Sequence, residues 1–264
     1  MIVHKLNTII IEYSKIQKFK TEVLYLGDMT FKTIDKQGIS IDADIKKYLP
    51  KAQHRFLPEY EKTLAGVLIP EQEIDQVVVD CAKQISQDYQ QQEVDKIATI
   101  YVLKGARKFM GKLETGLYEN GIQLIDDIIG VSRYGTKMIG GVPRISVPET
   151  EILPNDHVLV VEDVLDQGLT LEYITDHLQI NNPASIKLAT LLLKPSKYQG
   201  DRRIHYPLFK VDDHWVVGMG MDMNIDGRSR YRELPFVAIA NPDYLLETEQ
   251  IDEKKADELR SLIH

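Results

Sequence analysis

Cysteine is almost absent from this sequence: Cys81 is the only one in 264 residues. One thiol cannot close an internal disulfide or furnish a cysteine-based metal centre. Tryptophan is as scarce, with Trp215 alone. Long apolar runs are missing too. Ile9-Ile10-Ile11 is short and flanked by polar residues, far below a membrane span or a signal-peptide core. Nor is there a basic excess: 32 Lys and Arg face 40 Asp and Glu, a net charge of −8. That balance argues against a general nucleic-acid binder, which usually shows a basic face. His4, His54, His157, His177, His205, His214 and His264 show no metal-ligand spacing, and there is no internal repeat or low-complexity tract. What remains is the composition of a soluble cytoplasmic globular protein, with small-molecule chemistry favoured over scaffolding.

Charge is unevenly placed. Residues 1–65 carry eleven Lys and Arg against eight Asp and Glu, whereas residues 246–264 carry an acidic excess of three. In the first segment Glu22–Leu26 and Thr30–Ile34 alternate apolar and polar residues across Gly27-Asp28, the pattern of a β-hairpin. Pro50 and Pro58 punctuate its exit, so 50–65 reads as a linker. From Leu68 the pattern changes. Pro70-Glu71 opens a helix with Ile74, Val77, Val78, Cys81, Ala82 and Ile85 on one face. Ala98–Leu103 is a short buried strand ending at Lys104-Gly105, followed by a helix through Phe109, Leu113 and Leu117. Gln123–Val131 is a second strand and Val158–Val161 a third; a helix over 169–178 and a strand over 186–193 follow. This alternation predicts an α/β fold, a mainly parallel twisted sheet flanked by helices. Ligands of such sheets bind beyond the carboxyl ends of the strands.

The most informative segment is VLVVEDVLDQGLTL, Val158–Leu171. A buried strand delivers Glu162 and Asp163 to its end, Asp166 follows, and Gln167-Gly168-Leu169-Thr170 opens a helix. Backbone N–H groups at a helix start, with a glycine allowing close approach, form a phosphate cradle. Acids beside such a cradle suit sugar hydroxyls or magnesium, which prefers carboxylates plus substrate phosphates. The same charges would also suit a solvated βα turn, and Asp166 alone would suit a helix cap.

Several segments share one order: VLIPEQEI (67–74), YVLKGARKFMGKL (101–113), the 158–171 segment, TLLLKPSKY (190–198), DDHWVVGMGMD (212–222) and YREL (231–234). Together they resemble the type I phosphoribosyltransferases, and specifically the hypoxanthine-guanine phosphoribosyltransferase branch, over about residues 66–245. The resemblance implies a phosphoribosyltransferase domain with a small hood over 66–245, an N-terminal extension over 1–65 and a C-terminal helical tail over 246–264. It implies magnesium-dependent purine salvage: transfer from phosphoribosyl pyrophosphate to hypoxanthine or guanine, giving IMP or GMP and pyrophosphate. A homodimer or homotetramer is expected, with no nucleic-acid or membrane partner.

By position, Glu162 and Asp163 resemble the pair on the ribose hydroxyls, and with Asp222 they are the acids beside magnesium. Asp166 resembles the acid near purine N7. Backbone from Asp166 through Gln167, Gly168 and Leu169 to Thr170 would hold the 5′-phosphate. Lys104-Gly105 matches the pyrophosphate loop, and Arg232 the pyrophosphate-binding arginine. Lys194 resembles the donor to the purine 6-oxo group; a lysine only donates, so it would favour a 6-oxopurine over adenine. Trp215 stands where an aromatic ring stacks on the base, Val216 where backbone reads its edge, and Asp222 also borders the purine side. Ser132–Gly141, including Ser132, Arg133 and Tyr134, resembles the mobile lid.

Three departures stand out: Gln167 where Thr is commoner, Arg133 before Tyr134 where Ser is usual, and a longer 223–231 connection. A ligand-sensing regulator of the same fold is the alternative, and a phosphatase or receiver-like protein using Asp163 or Asp166 a more distant one. Asp166, Lys194 and Trp215 together favour catalysis, because a sensor of phosphoribosyl pyrophosphate needs no base pocket.

Overall fold

The computed structural model describes residues 39–40, 57–133, 143–145 and 152–263. The hairpin expected over 22–34 and Tyr134 of the lid lie outside them. In chain order the elements are β1 (Ile39–Ser40), α1 (Leu57–Thr63), β2 (Leu64–Ile69), α2 (Glu71–Gln90), β3 (Lys96–Leu103) and α3 (Arg107–Glu119). Then come β4 (Gln123–Arg133), β5 (Pro143–Ile145), β6 (His157–Leu165), α4 (Leu169–Gln179), β7 (Ser185–Leu193) and β8 (Tyr206–Lys210). The last are β9 (Val216–Val217), β10 (Met223–Ile225), β11 (Arg228–Arg230), β12 (Val237–Ala240), α5 (Pro242–Glu247) and α6 (Glu253–Ile263).

The main sheet runs β1-β8-β7-β6-β3-β4-β5, parallel throughout except for β5. Its central strands are apolar on both faces because both faces are covered. Along β6, Leu159 and Val161 enter the cluster beneath α2 and α3, while Val158 and Val160 enter the one that holds Leu171, Ile174 and Leu178 of α4. This is the period-two alternation of a strand between two helical layers. The order matters for the site. The chain leaves β3 for β4 on one side, then returns to lay β6 on the other side of β3. The carboxyl ends of β3 and β6 therefore flank the topological switch point.

The hood is a three-stranded antiparallel sheet, β2-β12-β9, with the β10-β11 hairpin beside it in sequence. Its core gathers Leu64, Val67, Val217, Met223, Tyr231, Phe236, Leu245 and Leu259, so the first strand of the hood and the last helix of the chain share one cluster. Residues 57–65 are therefore not part of the linker expected over 50–65, while residues 50–56, with Pro50, lie outside the described residues. From Leu57 the chain is helix and then strand, with Pro58 in the first helical turn, where its missing N–H costs nothing. Ile39–Ser40 pairs in parallel with Phe209–Lys210 at the sheet edge.

Candidate active site

Three loops converge at the switch point, on the end of β3. The β3 end brings Lys104, exposed, and Gly105, buried. The Leu103–Lys104 peptide bond is cis. A Cβ on Gly105 would lie 1.7 Å from Oδ2 of Asp163, and a Cβ on Gly220, at φ +102°, would lie 1.8 Å from the Gly105 carbonyl oxygen. Neither position has room for a side chain. Glycine here is what lets the β6 end and the hood press against the β3 loop.

The β6 end brings Glu162 and Asp163. Asp163 Oδ1 accepts from the Val164 amide at 2.9 Å. Burial pushes the Asp163 carboxyl up to about 6; the Val164 amide and Arg232 oppose the shift, and Asp222 adds to it. Beyond them the chain turns through Asp166 and Gln167, both exposed, into α4. The N-cap of α4 is Gly168 at φ +89°, with no side-chain cap hydrogen bond, so the cap position is not that of Asp166. A Cβ on Gly168 would lie 2.6 Å from the Tyr198 ring. The amides at this helix start, with Thr170 half-buried beside them, have the arrangement that cradles an anion.

The hood brings Asp222 and Arg232. Arg232 Nη2 lies 2.6 Å from Asp222 Oδ1. Ser229, on the long connection, donates to Asp222 and accepts from Arg232 Nε at 3.0 Å. Tyr231, buried at φ +74°, shares a 2.7 Å hydroxyl hydrogen bond with Thr63 and so fixes the residue before Arg232. Lys108 on α3 donates to the carbonyls of Glu233 and Leu234. Ser229 lies outside the motif segments, and Lys108 and Tyr231, although inside two of them, have no role that the sequence announces.

These elements enclose a cleft of about 240 Å³ lined by Val102, Leu103, Lys104, Gly105, Glu162, Asp163, Thr170, Asp222 and Arg232. Seven of these are residues singled out in the sequence. Asp166, Gln167, Gly168 and Leu169 adjoin the cleft in sequence but are not in its lining, and neither are Lys194, Trp215 and Val216. Ser132 and Arg133 end β4, their backbone paired with Arg144 and Pro143 of β5.

Lys194 belongs to a second group. It is 8% exposed at the end of β7, and its amide donates to the Leu165 carbonyl at 3.0 Å, one residue before Asp166. Its Nζ lies 3.1 Å from Asp213 Oδ1; Lys197 and Lys255 stand at 3.0 and 2.5 Å from Asp213 Oδ2. Burial opposes ionisation of Asp213, but the three ammonium groups outweigh it and hold the carboxyl down at about 2. His214 is buried next to it, its imidazole held below its usual pKa by burial. Trp215 is half-buried and packs on the hood core, its carbonyl accepting from Ala240 at 2.8 Å. Val216 pairs with Ile239.

Glu162, Asp163 and Asp222 supply hard carboxylate oxygens to one cleft, and after burial the charge of Asp222 adds to the resistance of Asp163 to ionisation. A divalent cation held jointly with substrate oxygens fits that donor set. Among the described residues no three His, Cys, Asp or Glu side chains form a cage on their own.

The phosphoribosyl transferase domain family matches residues 70–224, which include Asp222 but not Arg232. The hypoxanthine-guanine phosphoribosyltransferase of Crithidia fasciculata is 34% identical over 181 residues, 67% of this chain and 85% of that protein. That of Bacillus subtilis is 35% identical over 178 residues, 67% of this chain and 93% of that protein. Among solved structures, a Staphylococcus aureus hypoxanthine phosphoribosyltransferase aligns with a TM-score of 0.64 at 28% identity, covering 72% of this chain and 98% of its own. A Trypanosoma cruzi hypoxanthine phosphoribosyl transferase aligns with a TM-score of 0.65 at 28% identity and the same coverage. Motif order, switch-point cleft and relatives agree: the chain belongs to the hypoxanthine-guanine phosphoribosyltransferase family.

Proposed function

We propose that this protein transfers the phosphoribosyl group of phosphoribosyl pyrophosphate to N9 of a 6-oxopurine, hypoxanthine or guanine, releasing pyrophosphate and forming IMP or GMP. The observation that carries the purine assignment is Lys194, buried at the end of β7 and held on Asp213 beside Trp215. An ammonium group has donors only, so it rewards a 6-oxo oxygen and gives nothing to a 6-amino group. The relatives are named as transferases, and nothing among them favours the regulatory alternative.

In this reading the α4 amides and Thr170 hold the 5′-phosphate. Lys104, Gly105 and Arg232 face the pyrophosphate. Glu162 and Asp163 face the ribose hydroxyls. Magnesium, held by Glu162, Asp163 and Asp222 together with substrate oxygens, would neutralise charge on the departing pyrophosphate. As the C1′–O bond to pyrophosphate breaks and the N9–C1′ bond forms, the purine must lose a proton. Asp166 is sited to take or share it at N7, and its charge offsets the cationic character developing at C1′. Trp215 stacks on the base, and the Val216 backbone reads its edge. The segment that includes Ser132, Arg133 and Tyr134 shields the reaction centre from water. A cytoplasmic homodimer or homotetramer goes with this reading; among the described residues no helix is long and apolar enough to cross a membrane.

The test is purified protein with magnesium, phosphoribosyl pyrophosphate and each of hypoxanthine, guanine, xanthine and adenine. Nucleotide is expected from hypoxanthine or guanine, with adenine poor. Activity on adenine alone would overturn the 6-oxopurine assignment, and activity on none would revive the sensor.

A further inference from the structure

The C-terminal helix reaches the base side of the site through one charged side chain. Asp252 caps its start, accepting from the Lys255 amide at 2.8 Å. Ala256 and Leu259 are buried, Leu259 in the hood core on which Trp215 packs. This seating aims Lys255 at Asp213, whose Oδ2 accepts from Lys255 Nζ at 2.5 Å; Glu258 takes the same ammonium at 3.3 Å. Asp213 thus serves three lysines from two regions of the chain, Lys194 and Lys197 after β7 and Lys255 on α6.

The division of its two oxygens is the informative part. Lys197 and Lys255 occupy Oδ2, while Lys194 alone takes Oδ1. With Oδ2 engaged on two sides, the carboxylate cannot turn to grip Lys194 with both oxygens. Lys194 then spends one donor on Asp213 and keeps others for an acceptor. Three ammonium groups against the carboxylates of Asp213 and Glu258 still leave the cluster with one surplus positive charge, which suits a carbonyl oxygen of the ligand.

We propose that Lys255 is a positioning residue for purine recognition: from the C-terminal helix it fixes Asp213 so that Lys194 stays available to the 6-oxo group. This rests on the reading that Lys194 meets that group. Without Lys255, Asp213 loses a partner on Oδ2 and closes on Lys194, which is drawn away from the base. The effect falls on the base pocket and leaves the phosphoribosyl pyrophosphate cleft as it was.

The experiment compares full-length wild type with K255M and K255R in two ways: steady-state kinetics on both substrates, and IMP titration followed by the fluorescence of Trp215. For K255M, the KM for hypoxanthine and the IMP dissociation constant are expected to rise about five- to tenfold, the size of one weakened charge-assisted hydrogen bond. The KM for phosphoribosyl pyrophosphate and kcat should stay within about twofold in the same variant, and K255R should recover most of the loss, because it keeps the charge on Asp213. Unchanged purine KM and IMP affinity in K255M would overturn the proposal. So would a parallel rise in both KM values with a lowered Tm, which marks general loosening of the hood. A wild type that neither turns over a purine nor binds IMP would remove the reading of Lys194 and this proposal with it; an active wild type with a normal K255M removes this proposal alone.

Discussion

Gly105 and Asp163 meet with no room for another carbon: a Cβ at Gly105 would lie 1.7 Å from Asp163 Oδ2. Two neighbouring parallel strands thereby present their ends as one surface, with a bare backbone loop on one side and an acid on the other. Gly105→Ala should force the Asp163 carboxylate aside, while the helix behind it, α3, keeps its packing. We expect kcat/KM for phosphoribosyl pyrophosphate to fall at least about tenfold, the scale at which a misplaced group acts, with little change in Tm. Normal kinetics in the variant would show that Asp163 does not act from this position.

Gly220→Ala is expected to behave differently. Its Cβ would meet a backbone carbonyl at 1.8 Å, and its φ of +102° is hostile to any side chain. Backbone cannot swing aside as a carboxylate can. A loss on the order of 1–3 kcal/mol and a Tm lowered by roughly 2–10 °C should accompany the loss of activity. Thermal melts of the two glycine variants side by side separate the effects.

Asp166→Asn should lower turnover by more than about tenfold, since general acid–base groups contribute about 10²–10⁴-fold. Binding of phosphoribosyl pyrophosphate should persist, because the α4 amides, Lys104-Gly105 and Arg232 are untouched. Tm should hold as well, because the N-cap of α4 is Gly168 and no cap is lost. Near-normal turnover in folded protein would take Asp166 off the list of catalytic residues.

Asp163 gives a pH dependence with a defined sign. Its folded pKa of about 6 lies above the ordinary carboxylate range, so the folded state holds a proton there that the unfolded chain has released. The stability this provides is complete below the ordinary range and is lost as pH rises through about 6. In metal-free protein, Asp163→Asn should therefore raise Tm relative to wild type at pH 8, and the gap should narrow at pH 5. In the proposed reading, magnesium with phosphoribosyl pyrophosphate binds the ionised carboxylate, so their affinity for wild type should fall as pH drops through the same interval, and chelation should abolish turnover. A Tm gap independent of pH would show that another group titrates there.

Trp215→Ala should weaken IMP binding by about 1–3 kcal/mol, the value of one aromatic–base stack. The KM for phosphoribosyl pyrophosphate should change far less. Trp215→Phe should keep most of the affinity, because the ring plane and the packing on the hood are retained. Equal losses in both variants would point to packing damage rather than lost stacking.

The βα units were legible because each is local. A run such as Val158–Val161 announces a buried strand, and Glu162, Asp163 and Gly168 come after it at fixed short offsets. The part of the cleft lining at the ends of β3 and β6 was legible for the same reason, since strand ends of a doubly wound sheet share one rim, whereas Asp222 and Arg232 of the hood were placed by the family resemblance alone. Relationships across long stretches of chain were not. Asp213 and Lys255 are 42 residues apart, and no periodicity marks them as partners. The Thr63–Tyr231 bond spans 168 residues. Pro58 misled because proline reads both as a breaker and as a first-turn residue, and only the packing of α1 and β2 against the hood decides between them. Gly220 is one glycine among sixteen in the sequence, and only the Gly105 carbonyl against it sets it apart.

The most direct measurement is ³¹P NMR of wild-type protein with magnesium, phosphoribosyl pyrophosphate and hypoxanthine, with the purine or the magnesium omitted in parallel. Transfer requires the phosphoribosyl pyrophosphate resonances to decay while nucleoside monophosphate and pyrophosphate grow in equal amounts, only when both are present. Resonances that shift on binding but never decay would contradict catalysis, and pyrophosphate released without the purine would contradict transfer to a base.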